Sequence, residues 1–152
     1  MTQARAVYGS AQTVIALSAI VVSGNVTGAT VVFDNTTDLA PFGVAVFRCP
    51  DTFNGTPTDK STVDLYMVPV STGTGGTTND TTVPNTTSLG AAEYVGSFLI
   101  YGTDEAQQKT ITISLHGVRK AKYYIYNNTG QNINFSTNAI TVRITPFSYQ
   151  DA

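Results

Sequence analysis

A chain of 152 residues is long enough for one domain with a substantial apolar core. Charged residues make up only 12%, with 8 Lys and Arg against 10 Asp and Glu, where a soluble domain usually carries about 25%. Without a basic surplus, the counterion release that drives nucleic-acid binding is missing. One His and one Cys exclude an internal disulfide framework and any Cys/His zinc site.

In chain order, residues 1–10 read as an N-terminal arm containing a short strand, Ala4–Tyr8. Thr13–Val22 follows. Arg5 and the run Val14-Ile15-Ala16-Leu17-Ser18-Ala19-Ile20-Val21-Val22 resemble the charged and apolar regions of a signal peptide. β-branched residues dominate the run, however, and Gly24-Asn25 supplies a hairpin turn, so it reads as a buried strand. Further strands are expected at Ala29–Phe33, Phe42–Cys49, Thr62–Val70, Tyr94–Tyr101, Lys109–His116, Lys122–Asn127 and Ala139–Thr145. Alternation is sharpest near the end of the chain. Ile111, Ile113 and Leu115 oppose Thr110, Thr112 and Ser114, and Ile140, Val142 and Ile144 oppose Thr141, Arg143 and Thr145. Each such strand has one core face and one wet face, the mark of antiparallel sheets. Thr103–Gln108 has room for a single helical turn.

Between the strands, Asn54-Gly55 and Asn127-Asn128-Thr129-Gly130 suit turns that need positive φ. Residues 71–92, rich in Thr, Gly and Asn, form a long connection of the kind that is functional or disordered. The expected fold is all-β: a two-sheet antiparallel sandwich, jelly-roll or Greek-key-like, in a single domain. The arm covers residues 1–10, the sandwich 11–146 with its loop at 71–92, and a tail 147–152. No apolar run nears the ~20 residues of a membrane-spanning helix, so a soluble protein is expected.

Little in this composition supports catalysis. A serine triad or a Cys–His pair would both need His116, which ends an alternating strand beside Gly117 and reads as a rim residue. Cys49, between Arg48 and Pro50, reads as an inert, semi-buried thiol. The acids stand mostly in turns (Asp34, Asp38, Asp51, Asp59, Asp80, Asp104), where turn formation explains them without a glycosidase pair. Asp34-Asn35-Thr36-Thr37-Asp38 gathers oxygen ligands but lacks EF-hand spacing, and a polar turn suffices. The expectation is no enzyme, no metal and no cofactor.

Seven Asn-x-Ser/Thr sequons occur, at Asn25, Asn35, Asn54, Asn79, Asn85, Asn127 and Asn134. Chance in so Thr-rich a chain gives about two. Turn chemistry, Asn bending the chain and Thr resuming the strand, is preferred over glycosylation. Tyr123, Tyr124 and Tyr126 lie among Lys120 and Lys122. Alternation places Tyr124 and Tyr126 on one face, for an exposed or interface patch, with Tyr123 and Ile125 opposite.

Several segments together carry a resemblance: the arm from Met1 to Gly9, the turn Phe33-Asp34-Asn35-Thr36-Thr37, the block from Gly55 to Tyr66, and Tyr126-Asn127-Asn128-Thr129-Gly130 before a final alternating strand and short tail. Over most of its length, residues 71–92 excepted, the chain resembles the capsid decoration (cement) and head-associated proteins of tailed bacteriophages. The resemblance implies a non-enzymatic protein on the outer capsid surface, assembled in the host cytoplasm. Such a protein bridges major capsid subunits as a homo-dimer or homo-trimer and stabilises the DNA-filled head. Its partners would be the major capsid protein and itself, with no nucleic acid and no membrane.

The candidate contact residues are Arg5, Val7 and Tyr8 in the arm; Thr78, Asn79, Asp80 and Val83 in the loop; Tyr124 and Tyr126; and Phe147 and Tyr149 in the tail. Arm and tail are apolar or aromatic yet peripheral; the alternative is that they cover an edge strand of their own domain. The competing function is a phage tail or fibre module, or a carbohydrate-binding recognition module, since jelly rolls also serve as lectins.

Overall fold

The computed structural model describes residues 4–70, 88–90, 92–135 and 137–151. Among these residues nine strands carry the architecture: β1 (Ala4–Tyr8), β2 (Gln12–Leu17), β3 (Val26–Asp34), β4 (Phe42–Cys49), β5 (Thr62–Pro69), β6 (Glu93–Leu99), β7 (Gln107–Ser114), β8 (Lys120–Asn128) and β9 (Ile140–Asp151). Each overlaps a segment where β-branched and aromatic residues alternate or cluster, the composition that fits a half-buried pleated surface.

The pairs are nested: β2 with β9, β3 with β8, β4 with β7 and β5 with β6, all antiparallel. The chain thus behaves as one long hairpin, doubling back between β5 and β6 and rolled into two sheets. One sheet has the order β2-β9-β4-β7 with β1 added against β9, and the other β3-β8-β5-β6. This is the jelly-roll arrangement. Alternate residues face inward, and the core between the sheets is built from Val14, Ile15, Phe33, Phe47, Leu65, Phe98, Ile125, Ile140, Val142 and Ile144, all fully buried. Phe47 of one sheet meets Phe98 of the other at 5.5 Å between ring centroids.

Three local expectations are corrected. The strand expected over Thr13–Val22 ends at Leu17, which lies opposite Ile140, the first residue of β9, so no partner remains beyond it. Val21 alone returns to a bridge, with Ile133. Gly24-Asn25 does turn the chain, with Gly24 at φ 76° and the Asn25 N–H donating to Val22 O at 3.2 Å. But the strands it joins lie in different sheets, so it closes a crossover and no hairpin. Thr103–Gln108 forms bends and then enters β7. The buried Gln107 side chain explains this: its Oε1 accepts from Tyr101 N at 3.0 Å and its Nε2 donates to the Tyr101 and Thr103 carbonyls at 3.1 and 3.2 Å. Those bonds occupy backbone groups that a helical turn would have satisfied internally.

Two of the sequon asparagines are structural. Asn127 is fully buried; its Nδ2 donates to Val21 O and Gln131 O, and its Oδ1 accepts from the backbone and hydroxyl of Thr129. Asn35 is likewise buried, its Nδ2 donating to Ala40 O and Val118 O while its Oδ1 accepts from Ala40 N. Neither amide has space or a free hydrogen for a glycan. Asn79 and Asn85 lie outside the described residues.

Candidate functional site

β9 runs without a break from Ile140 to Asp151, straight through the position where a tail was expected to begin. Its far half pairs with the arm: Tyr8 lies opposite Phe147, Ala6 opposite Tyr149 and Ala4 opposite Asp151. β4 reaches only as far as Phe42, opposite Phe147. Beyond that rung β1 and β9 continue as a two-stranded ribbon. Among the described residues, neither outer edge of that ribbon has a strand beside it. A two-stranded ribbon is marginal alone, and its edges are templates for further pairing.

The register then does what sequence separation hides. Tyr8, Phe42, Phe147 and Tyr149 all project from the outer face of the five-stranded sheet and meet at the root of the ribbon. Phe147 is the hub, 5.5 Å from Tyr8, 5.5 Å from Phe42 and 5.6 Å from Tyr149 between centroids, and Phe42 also meets Tyr149 at 6.1 Å. Phe147 is covered by the others, while Tyr8, Tyr149 and Phe42 remain 60%, 61% and 38% exposed. Edge-to-face and offset rings hold one another in place, so an exposed apolar surface is presented rigidly. Arg5 and Val7 alternate onto the opposite side of the ribbon. There Val7, Ser148 and Gln150 line a shallow recess with Thr37 and Asp38.

Phe42 is the member of this cluster that the sequence pattern does not reveal. β4 is apolar on both faces, Val44 and Val46 outward and Ala45 and Phe47 inward, so alternation alone does not mark Phe42 as outward. Its alignment with Phe147 comes only from the β4–β9 register.

The second aromatic group lies on the outer face of the four-stranded sheet. Tyr124 projects there as alternation predicts, but it is only 5% exposed, packed with Val26, Val68, Leu89 and Ala92. A Cβ on Gly28 would stand 2.0 Å from its ring, which explains the glycine. Tyr124 is therefore no open contact. Tyr126 is half-buried beside it, and the exposed member is Tyr94, T-shaped against Tyr66 at 5.6 Å. The Tyr94 hydroxyl bonds Ser97 Oγ at 2.7 Å, and Ser97 Oγ donates to Asp64 Oδ1 at 2.6 Å. Tyr123, opposite, is fully buried against Phe33, and burial raises its phenol pKa. Thr78, Asn79, Asp80 and Val83 lie outside the described residues.

The Cys–His pair considered for chemistry is kept apart. Cys49 lies opposite Gln107 and Phe42 opposite Ser114, so Cys49 and His116 sit at opposite ends of the β4–β7 pair. Seven residues at ~3.4 Å each separate those ends by roughly 24 Å. Cys49 is buried, its Sγ 3.1 Å from Asp51 O, and burial pushes the thiol up to about 11. In the 34–38 turn, Asp34 accepts from the Thr36 hydroxyl and N–H and pairs with Lys120 Nζ at 3.1 Å. These contacts, the Thr36 hydroxyl first, hold its carboxyl down to about 2. With Asn35 buried and spent on backbone, the turn is a self-satisfied Asx turn. Among the described residues no cluster of His, Cys, Asp or Glu could hold a metal ion, and no helix is long and apolar enough to cross a membrane.

Compared with known proteins, the sequence matches no protein family and no curated protein.

Proposed function

We propose that this chain is a non-enzymatic structural protein of a virion. In this reading it is a capsid decoration protein that seats on major capsid subunits through the aromatic root of the β1–β9 ribbon. The observation that carries the reading is the cluster of Tyr8, Phe42, Phe147 and Tyr149, three of its rings open to solvent on a ribbon that the sandwich does not need for its core. Exposed aromatics held in fixed geometry are the side chains that dominate binding energy at protein interfaces. Repeated over a lattice, and over the two or three copies of a homo-oligomer, modest contacts of this kind give slow dissociation. The separation of Cys49 from His116 supports a role without catalysis.

The test is the number of copies per major capsid subunit in purified virions, followed by rebinding of Tyr8→Ala/Tyr149→Ala protein to stripped capsids. A ratio near one or a simple fraction of it, with at least tenfold weaker rebinding by the variant, is expected. Undiminished rebinding overturns the ribbon as the docking element.

The Tyr66–Tyr94 pair with its Ser97–Asp64 chain favours a second reading, saccharide recognition by a tail or fibre module, because it sets an exposed ring beside hydroxyl and carboxylate groups. A handful of copies per particle, with Tyr94 resonances moving on addition of millimolar sugars, would replace the first reading with that one.

A further inference from the structure

The outer face of the five-stranded sheet continues past the aromatic cluster. From the ribbon root, β9 presents Thr145, Arg143 and Thr141, and β4 presents Val44, Val46 and Arg48. Val46 lies opposite Arg143 and Arg48 opposite Thr141, so the two arginines are diagonal neighbours across the strand pair. Side chains so placed are on the order of 7–8 Å apart at their roots, within reach of one another. Both line one groove of about 340 Å³, together with Gln108, Thr141 and Thr145.

Like charges directly opposite on a sheet are unfavourable, diagonal ones feel a weaker form of the same repulsion, and an acid beside them would offset it. Among the described residues of the neighbouring strands none stands beside them. Neither arginine has an ion-pair partner among the described residues. On this face β7 contributes Gln108, Thr110, Thr112 and Ser114, and β2 contributes Thr13 and Ala16. Its carboxylate is Asp151, at the far end of β9, opposite Ala4. In a chain with more acids than bases, two of the eight cations therefore converge on a face almost free of acids.

We propose that the Arg48–Arg143 groove binds carboxylate side chains of a partner polypeptide. Guanidinium forks match carboxylates in bidentate geometry, and the Thr141 and Thr145 hydroxyls and the Gln108 amide add donors around them. Two cations are too few for a nucleic-acid track, which needs many phosphate contacts. The partner surface for this sheet is thus an apolar recess for the aromatic rings beside an acidic patch for the arginines. The inference rests on the docking reading for the identity of the partner, but its test uses the isolated chain, so that the two can fail separately.

The experiment is an amide-resonance titration of the full chain at low salt with hexaglutamate, hexaglutamine and inorganic phosphate. Hexaglutamate is expected to shift Val46, Arg48, Gln108, Thr141 and Arg143, to weaken as salt rises, and to bind at least tenfold less well to Arg48→Gln/Arg143→Gln protein. Arg119→Gln, a loop arginine away from this face, should bind as the unaltered chain does. Absence of groove shifts at millimolar hexaglutamate, equal binding by hexaglutamine, or equal binding by the double variant overturns the proposal. Phosphate binding the groove more tightly than hexaglutamate overturns the polypeptide assignment. Both arginines are exposed, so the variants should fold; single Arg→Lys substitutions, which keep charge but lose the fork, should give intermediate affinity if carboxylates are bound bidentately.

Discussion

Single residues here are held by polar contacts that can each be weighed. The Tyr123 hydroxyl is fully buried and has no hydrogen-bond partner among the described residues. An unpaired buried hydroxyl costs about 1–3 kcal/mol. Tyr123→Phe keeps the ring against Phe33 and removes that penalty, so it should raise stability by about 1 kcal/mol. The check is a higher urea midpoint at unchanged slope; a lower midpoint would mean that the hydroxyl is paired. Asp34 gives a pH dependence. Its folded carboxyl titrates near 2 against 3.8 unperturbed, so its stabilisation is complete above about pH 4 and drains as pH falls toward 2. The stability gap between the unaltered chain and Asp34→Asn should therefore close over that window in acid titrations. As the group is exposed, the gap is small and shrinks further with salt.

At the scale of elements, β1 stands apart because β9 is the strand it pairs with. Deleting residues 1–8 should leave the sandwich folded, since every fully buried core residue lies outside β1. The melting temperature should fall by only a few degrees, because about 1 kcal/mol corresponds to about 2–4 °C in a domain of this size. Hydrogen exchange gives the sharper reading: amides of Ser148–Asp151, beyond the reach of β4, should lose protection while those of Ile140–Thr145 keep it. Loss of protection throughout β9 would show that the ribbon is part of the folding unit. Each of the nine strands among the described residues overlaps a segment legible in the sequence, most plainly where Thr, Val and Ile alternate over 109–116 and 139–145, but the run of β9 on to Asp151 was not legible. The end of β2 was not, because the apolar run to Val22 gives no sign that β9 has no residue left to pair with beyond Leu17. Nor was the turn at 103–106, which depends on a glutamine side chain folded back onto backbone.

On the scale of the whole molecule, the sandwich was legible, with the jelly roll as one of its two expected topologies, and the particular partner of each strand was not. Alternation says which face of a strand is wet, and nothing about which strand lies beside it. That is why arm and tail were each expected as separate contact surfaces, when they pair with one another, and why Phe42, about a hundred positions from Phe147, was overlooked. The candidate site is a product of the roll: strands from the beginning, the first third and the end of the chain contribute one ring or more each. The same antiparallel pairing that sets Ala4 beside Asp151 has a topological consequence. Whatever polypeptide is joined before the first strand and whatever is joined after the last depart from one spot, side by side, at the ribbon's tip. Attachments at either end would thus crowd the same neighbour, and cargo meant to stand clear of it belongs at the opposite pole, in the turn at Asn54-Gly55.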